Sequence, residues 1–336
     1  MAMIAGGMIG SSIFSLSGLT MTAAGPAAII TWAIAAAIML CYGLVCAELS
    51  TRFPKSGGVF VFPSKALGKT EEQGRLWGWI STWGYINANI VAIAFAAIYV
   101  GTYLSVGFPI FGKLQIPLAI GSIILILVLN SMKFALAGKV NNLLVLGLAL
   151  TMIAYVIIAF VSGAWDGSTL VPFFTQGSGG STGFLAMVPT AMTGYGSIVA
   201  MAFMVSEVKN PNKNVPKSVL IAMIIVLCLY LGIILATVGM VSAQFLMDNP
   251  GMQFIPLYAA AFTKLASIPW VSKLISVAAL LALLTTMLTV MSLTSRAIQA
   301  AADKGLMPEG LAKNNKAGVP FNACLLYTSP SPRDGL

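Results

Sequence analysis

Two short clusters of small residues are the parts of this sequence best suited to chemistry. Gly6-Gly7-Met8-Ile9-Gly10-Ser11-Ser12-Ile13-Phe14 sits in an uncharged stretch that runs from Met1 to Ala47. Thr193-Gly194-Tyr195-Gly196-Ser197 sits in another, from Gly167 to Ser206. Each glycine in a helix interior costs roughly 1 kcal/mol against alanine, so such a cluster marks a place where a helix can open. An opened helix exposes N–H groups at the start of its second half and carbonyls at the end of its first. The N–H groups, with the helix dipole, attract a carboxylate, and the carbonyls attract an ammonium. One break can therefore hold both ends of a zwitterion without a charged side chain. Close helix packing is the competing explanation, because Gly6 and Gly10 form a G-x-x-x-G pair. The pairing of the two clusters, one in the first apolar segment and one in the sixth, favours a site between two inverted five-helix repeats.

The elements that carry these clusters belong to a membrane. The chain has 336 residues, of which 58% are hydrophobic and 8% charged, against about 25% charged in soluble proteins. Lipid is the solvent that accepts so much apolar surface. Eight segments reach the roughly 20 apolar residues of a membrane helix: about 1–23, 26–50, 76–105, 116–133, 140–163, 184–207, 217–243 and 273–301. Pro26, Pro117 and Pro216 mark segment edges. With the N-terminus inside the cell, Arg52, Lys55, Lys65, Lys69, Arg75, Lys133, Lys139, Lys209, Lys213, Lys217, Arg296, Lys304, Lys313 and Lys316 fall on the inner side. Only Lys113, Lys264 and Lys273 fall outside, which is the asymmetry of the positive-inside rule. The same asymmetry explains the net charge of +9 without nucleic acid, for which a basic stripe interleaved with aromatics would be expected. The sequence contains no His, and Cys41, Cys46, Cys228 and Cys324 lack metal-ligand or disulfide-framework spacing. No cofactor or metal is expected.

The chain ends invite two expectations. It opens directly in an apolar run with no basic flank or cleavable signal, so Met1 reads as an internal methionine. A ninth apolar run begins near Val319 and gives way to Tyr-Thr-Ser-Pro-Ser-Pro-Arg-Asp-Gly-Leu. Residues 325–336 read as a non-native tail, and residues 1–324 as the membrane domain.

Four motifs in order carry a family resemblance. Gly7-Met8-Ile9-Gly10-Ser11-Ser12-Ile13-Phe14 resembles the first-helix motif of the amino acid–polyamine–organocation superfamily. Ala47-Glu48-Leu49-Ser50-Thr51-Arg52-Phe53-Pro54-Lys55-Ser56-Gly57-Gly58 resembles its signature at the end of the second helix. Ser206-Glu207-Val208-Lys209-Asn210-Pro211-Asn212-Lys213-Asn214-Val215-Pro216 resembles the loop between its sixth and seventh helices, and Ser295-Arg296 with Asp303-Lys304-Gly305-Leu306-Met307-Pro308 the end of the eighth. The resemblance implies an all-α polytopic membrane protein with a LeuT-like inverted-repeat fold. The fold would be incomplete, with eight transmembrane helices and the start of a ninth: a first repeat over about 1–163 and a partial second over about 184–302. It implies an amino acid permease working by alternating access, as a symporter or an antiporter. By position, the amides of Ser11, Ser12 and Ile13, after Gly10, would take the substrate carboxylate. Carbonyls near Met8 and Ile9, and near Tyr195 and Gly196, would take the ammonium, with Gly194 and Ser197 completing the second break and Tyr195 as a lid. The sequence departs from the family pattern at Ser12 and Ser197, each in place of a glycine, at Val199 in place of an acid, and at Leu148 where some proton-coupled relatives carry lysine.

Other polar residues are assigned more modest roles. Glu48 and Arg52, at i and i+4, form a structural or gating pair, and Glu207 does the same at the end of the sixth segment. Asn87, Asn89, Thr285, Thr286 and Thr289 either line a cavity or bond between helices, and Lys139 snorkels to the interface. No charged side chain lies deep in a segment, so the expected substrate is a neutral amino acid, with protons or a counter-transported amino acid as the coupling partner. A membrane enzyme would need a nucleophile, base or metal set that the segments lack. A sensor that binds an amino acid without transporting it is the alternative.

Overall fold

The computed structural model describes residues 2–132, 134–203, 205–315 and 318–328, and all regular structure within them is helical. The first apolar segment forms α1 (Ala2–Met8) and α2 (Ser11–Ala24), and a turn through Pro26 leads into α3 (Ala28–Arg52). Then follow α4 (Gly58–Ala66), α5 (Glu71–Gly107), α6 (Gln115–Ser131) and α7 (Phe134–Val161). The sixth segment is a chain of short pieces, α8 (Gly183–Ala186), α9 (Val188–Met192), a 3₁₀ stretch Thr193–Val199 and α10 (Ala200–Phe203). The chain continues through α11 (Pro211–Val238), α12 (Ala243–Asp248), α13 (Pro256–Thr263), α14 (Trp270–Ala302) and α15 (Phe321–Thr328). Residues 329–336, most of the expected foreign tail, lie outside the described residues, while 325–328 continue α15.

Five helical stretches are long and apolar enough to cross a membrane, with Ser12–Arg52 taken as one of them. The other expected segments fall short by length for visible reasons. The first is interrupted at Ile9-Gly10, α6 is 17 residues long, and the sixth is fragmented. Lipid as solvent shows on α7, where Leu143, Leu146, Leu150, Ile153 and Ile157 form an exposed stripe. Its opposite face, Leu148, Met152, Tyr155 and Ala159, is buried. A helix that is apolar all round belongs in a bilayer or a large core. The core gathers around α14, 67% of whose apolar window is buried and which packs on α1, α5, α6 and α7.

Several elements begin earlier than apolarity alone suggests, because local chemistry starts them. Thr70 caps α5, its hydroxyl accepting from the Gln73 N–H at 3.3 Å, with Glu71 and Glu72 in the first turn. Pro211 sits at the first turn of α11, where a missing N–H costs nothing. The short helices α4, α12 and α13 carry no periodic signal strong enough to be expected. The basic loops meet at one end of the bundle. Gly57 N–H donates to Phe203 O at 2.9 Å, the Ser56 and Ser206 hydroxyls bond to each other, and Asn315 Nδ2 donates to Ser131 O at 3.0 Å.

Gly57 shows how closely this end is built. It has φ +82°, and a Cβ there would lie 2.5 Å from the Ala300 Cβ on α14. The left-handed conformation alone costs a non-glycine residue about 1–2 kcal/mol. Gly57→Ala is expected to lower the thermal midpoint of the purified protein by several degrees. An unchanged midpoint would show that α4 does not dock on α14 in this way.

Candidate substrate site

The first break is made by backbone geometry. α1 ends at Met8, and Gly10, with φ −101° and ψ −154°, occupies the N-cap of α2. Glycine has no side chain to cap with, and no side chain caps α2, so the first N–H groups of α2, at Ser11, Ser12 and Ile13, have no intrahelical partner. The side chain of Ser11 lies outside the described residues. On the α1 side, carbonyls freed near the break are taken by side chains from distant helices. Thr285 Oγ1 donates to Gly6 O at 3.0 Å, and Thr286 Oγ1 lies 3.3 Å from both Gly6 O and Gly7 O.

The 3₁₀ stretch Thr193–Val199 of the sixth segment, expected as the second break, faces the first. A Cβ on Gly7 would lie 2.7 Å from the Ser197 Cβ and 2.8 Å from Thr289 Cγ2, so the two segments meet where Gly7 has no side chain. Tyr230, on α11, joins them directly. Its hydroxyl lies 2.6 Å from Met8 O and 3.0 Å from Gly194 O, and its single proton serves both acceptors. The ring packs edge-on against Trp32 with centroids 5.0 Å apart and beside Tyr195 at 5.2 Å, contacts worth about 1 kcal/mol each beyond area burial. The sequence reading missed Tyr230. A lone tyrosine in the middle of an uncharged segment was the available signal, because a buried phenol needs a hydrogen-bond partner.

Between the breaks lies a cavity of about 330 Å³, within the range of small-molecule sites. Of the expected site residues, Met8, Gly10, Ser12, Gly196 and Ser197 line it, together with Gly7, Thr193, Asn89 and Thr286. Leu16, Ala92, Phe95, Ala96 and Val290 make its apolar wall, and no Asp, Glu, Lys or Arg lines it. Ile9, Ile13 and Gly194 do not line it; the two isoleucine side chains are buried in the core. A Cβ at Gly194 would lie 2.6 Å from Trp32 Cζ3, so that glycine serves packing.

Tyr195 is a correction. Expected as a lid, it is fully buried, donates to Trp32 O at 3.2 Å and stands outside the cavity lining. Its ring belongs to the Trp32–Tyr195–Tyr230 cluster behind the break. A second cavity of about 580 Å³ shares Tyr85 and Gly196 with the first and extends past Cys46, Phe62 and Phe203 toward α4, at the end of the basic loops.

The remaining candidates divide by location. Asn89 and Thr286 reach the cavity, and Asn87 is exposed and bonds to Trp83 O within its own helix. Thr285 and Thr289 are buried, Thr289 donating to Thr285 O at 3.0 Å. Glu48 and Arg52 pair at 2.6 Å with side chains 62% and 67% exposed, tying one turn of α3 to the next and no second element. Glu207 ends a 3₁₀ turn, Val205–Glu207, and its side chain lies outside the described residues. Lys139 is exposed, Leu148 is buried, and Val199 lines the larger cavity. Among the described residues no cluster of His, Cys, Asp or Glu could hold a metal.

An uncharacterised transporter of Mycobacterium tuberculosis is 26% identical over 325 residues, covering 96% of this chain and 68% of its own length. A branched-chain amino acid permease of Bacillus subtilis is 26% identical over 351 residues, covering 97% and 70% respectively. An arginine/ornithine antiporter of Pseudomonas aeruginosa is 29% identical over 344 residues, covering 97% and 67%. The family model described as amino acid permease matches residues 1–331. Matched over nearly its whole length, the chain belongs to the amino acid permease family, whose members are membrane transporters rather than enzymes.

Proposed function

We propose that this protein is a secondary active transporter of neutral amino acids that works by alternating access, with the substrate at the breaks in the first and sixth segments. The observation that carries the reading is the cavity of about 330 Å³ lined from both breaks and by no charged side chain. The α2 amides at Ser11, Ser12 and Ile13 receive the carboxylate, and carbonyls at the breaks receive the ammonium. The wall of Leu16, Ala92, Phe95, Ala96 and Val290 receives an uncharged side chain. A cationic side chain would be desolvated there without a counter-charge, at a cost of several kcal/mol. The relatives include a branched-chain amino acid permease and an arginine/ornithine antiporter, and the uncharged wall favours the former kind of substrate.

The wider reading is a LeuT-like fold of two inverted repeats, with the N-terminus in the cytoplasm and the basic loops on the same side. The larger cavity beside Tyr85 and Gly196 then lies on the cytoplasmic route. Coupling is to protons or to a counter-transported amino acid. Leu148 and Val199 leave the neighbourhood of the breaks without a titratable carboxylate or lysine, which favours exchange.

Uptake of labelled leucine and arginine into proteoliposomes, with and without a pH gradient and with unlabelled leucine inside, tests this. Leucine uptake stimulated by internal leucine is expected, and arginine uptake at least tenfold lower. Preference for arginine would overturn the neutral substrate, and saturable binding without uptake would make the protein a sensor.

Two substitutions probe the breaks. Tyr230→Phe keeps the ring packing and removes the bridge between Met8 O and Gly194 O. Losing one hydrogen bond of about 1–1.5 kcal/mol should raise the leucine KM about tenfold while the protein still folds, and an unchanged KM would remove Tyr230 from the site. Gly7→Val places side-chain atoms against Ser197 and Thr289 and is expected to reduce uptake at least tenfold. Gly121→Ala, on α6 with nothing within 4 Å of the new methyl, should leave uptake unchanged.

A further inference from the structure

Two polar side chains of the substrate cavity have no task in holding an apolar amino acid. Both stand on α5. Tyr85, Asn89, Ala92 and Ala96 recur at the spacing of successive helical turns, form one face of that helix and line the cavity of about 330 Å³. At 1.5 Å rise per residue this face runs about 16 Å along the helix axis, with Asn89 about 6 Å from its Tyr85 end. α5 packs on α4, α6 and α14, while the breaks form the other side of the cavity. A substrate held at the breaks by its carboxylate and ammonium therefore meets α5 with its side chain.

The chemistry of this wall changes along its length. Ala92 and Ala96 offer methyl groups, and Leu16 and Val290 continue the apolar surface. Asn89 and Tyr85 interrupt it. Asn89 is half-buried, and its Nδ2 donates to Tyr85 O at 2.9 Å. A carbonyl can only accept, so the nitrogen is the arm of the amide at Tyr85 O and the oxygen is the other arm. The Tyr85 hydroxyl interacts with the Asn89 side chain, and the Tyr85 ring packs edge-on against Phe203 with centroids 6.0 Å apart. An amide and a phenol together can make more hydrogen bonds than these contacts use. The pair thus keeps both a donor and an acceptor for the cavity.

A wholly apolar side chain closing this space would strip water from the pair and leave it unsatisfied, which is costly in a desolvated site. A side-chain hydroxyl donates and accepts at once and removes that cost, while the alanine methyls beside the pair suit a methyl group. We infer that the cavity selects a small neutral amino acid carrying a hydroxyl next to a methyl, threonine above all, and that Asn89 with Tyr85 determines this specificity. The inference rests on the neutral-substrate reading and narrows it. Threonine and valine have nearly the same shape and differ by the hydroxyl, so a preference between them reports this contact and not cavity size. A site built to bond a hydroxyl rejects the analogue without it, because its own polar groups are then left unpaired.

The test uses the full chain, purified in detergent and titrated calorimetrically with threonine, valine, serine, alanine and glutamine. Threonine is expected to bind about tenfold more tightly than valine, and serine more tightly than alanine. Asn89→Leu keeps a side chain of similar volume and should abolish the preference for threonine over valine, and Tyr85→Phe should weaken it. A ratio of two dissociation constants does not depend on how much of a variant is folded, which separates selection from general damage. Should Asn89→Leu not fold, Tyr85→Phe and the serine–alanine pair in the unaltered protein carry the test. Equal affinity for threonine and valine would overturn the inference and leave the neutral-substrate reading standing. A preference that survives both substitutions, or glutamine binding more tightly than threonine, would overturn it as well. Failure of all these amino acids to bind would overturn the neutral-substrate reading itself.

Discussion

Everything in this fold depends on the rule that a backbone polar group at membrane depth must find a partner inside the protein. Lipid offers no hydrogen bonds, so an opened helix is tolerated only where protein or a hydrated cavity meets its freed groups. The break at Ile9-Gly10 meets that condition with side chains from two other long helices. Thr285 and Thr286 of α14 take the Gly6 and Gly7 carbonyls, and Tyr230 of α11 takes Met8. The amides that open α2 receive no such side-chain cap. An asymmetry follows: several carbonyls of the first half are occupied, while the N–H end remains able to meet an anion.

The same rule explains why the glycines near the break are placed where they are. Opening α1 gains nothing unless the second break can approach it, and the approach is limited by side-chain volume. At Gly7 even a methyl would overlap Ser197 and Thr289, and at Gly10 it would lie 2.5 Å from Thr286 Oγ1. These contacts bring three segments, far apart along the chain, to one side of a single cavity. The Trp32–Tyr195–Tyr230 cluster then backs the breaks with rings whose polar atoms are spent on carbonyls or on Thr20, to which Trp32 Nε1 donates at 3.0 Å. Rigid aromatic packing behind and small residues in front give the site a fixed wall and an open face.

Charge is organised separately, at one end of the bundle. No charged side chain lines the smaller cavity, whereas Lys65, Lys69, Arg75 and Lys304 gather around a pocket of their own. Glu48 and Arg52 illustrate how little a single exposed pair contributes there: at more than 60% exposure such a pair stabilises by about 0–1 kcal/mol. The pocket of Lys65, Lys69, Arg75 and Lys304 differs because its charges converge from three elements and are not neutralised locally.

The sequence by itself determined the class, an all-α membrane protein, and the small-residue clusters at which the first and sixth apolar segments lose regular α-helix. Those properties depend on solvent and on local composition: 8% charge calls for lipid, and Gly/Ser clusters interrupt helices wherever they occur. It also located a third of the cavity lining, at Met8, Gly10, Ser12, Gly196 and Ser197, because these residues belong to the interruptions themselves. Only the tertiary structure decided that Tyr195 turns away from the cavity, that Tyr230 bridges the two breaks, and that Thr286 and Asn89 complete the wall. Tyr230 reaches Met8 across 222 residues and Gly194 across 36, and no periodicity within one segment encodes which distant helix will supply a donor. The short helices α4, α12 and α13 were illegible for a related reason: pieces of six to nine residues are held by the neighbours they pack against rather than by their own propensity.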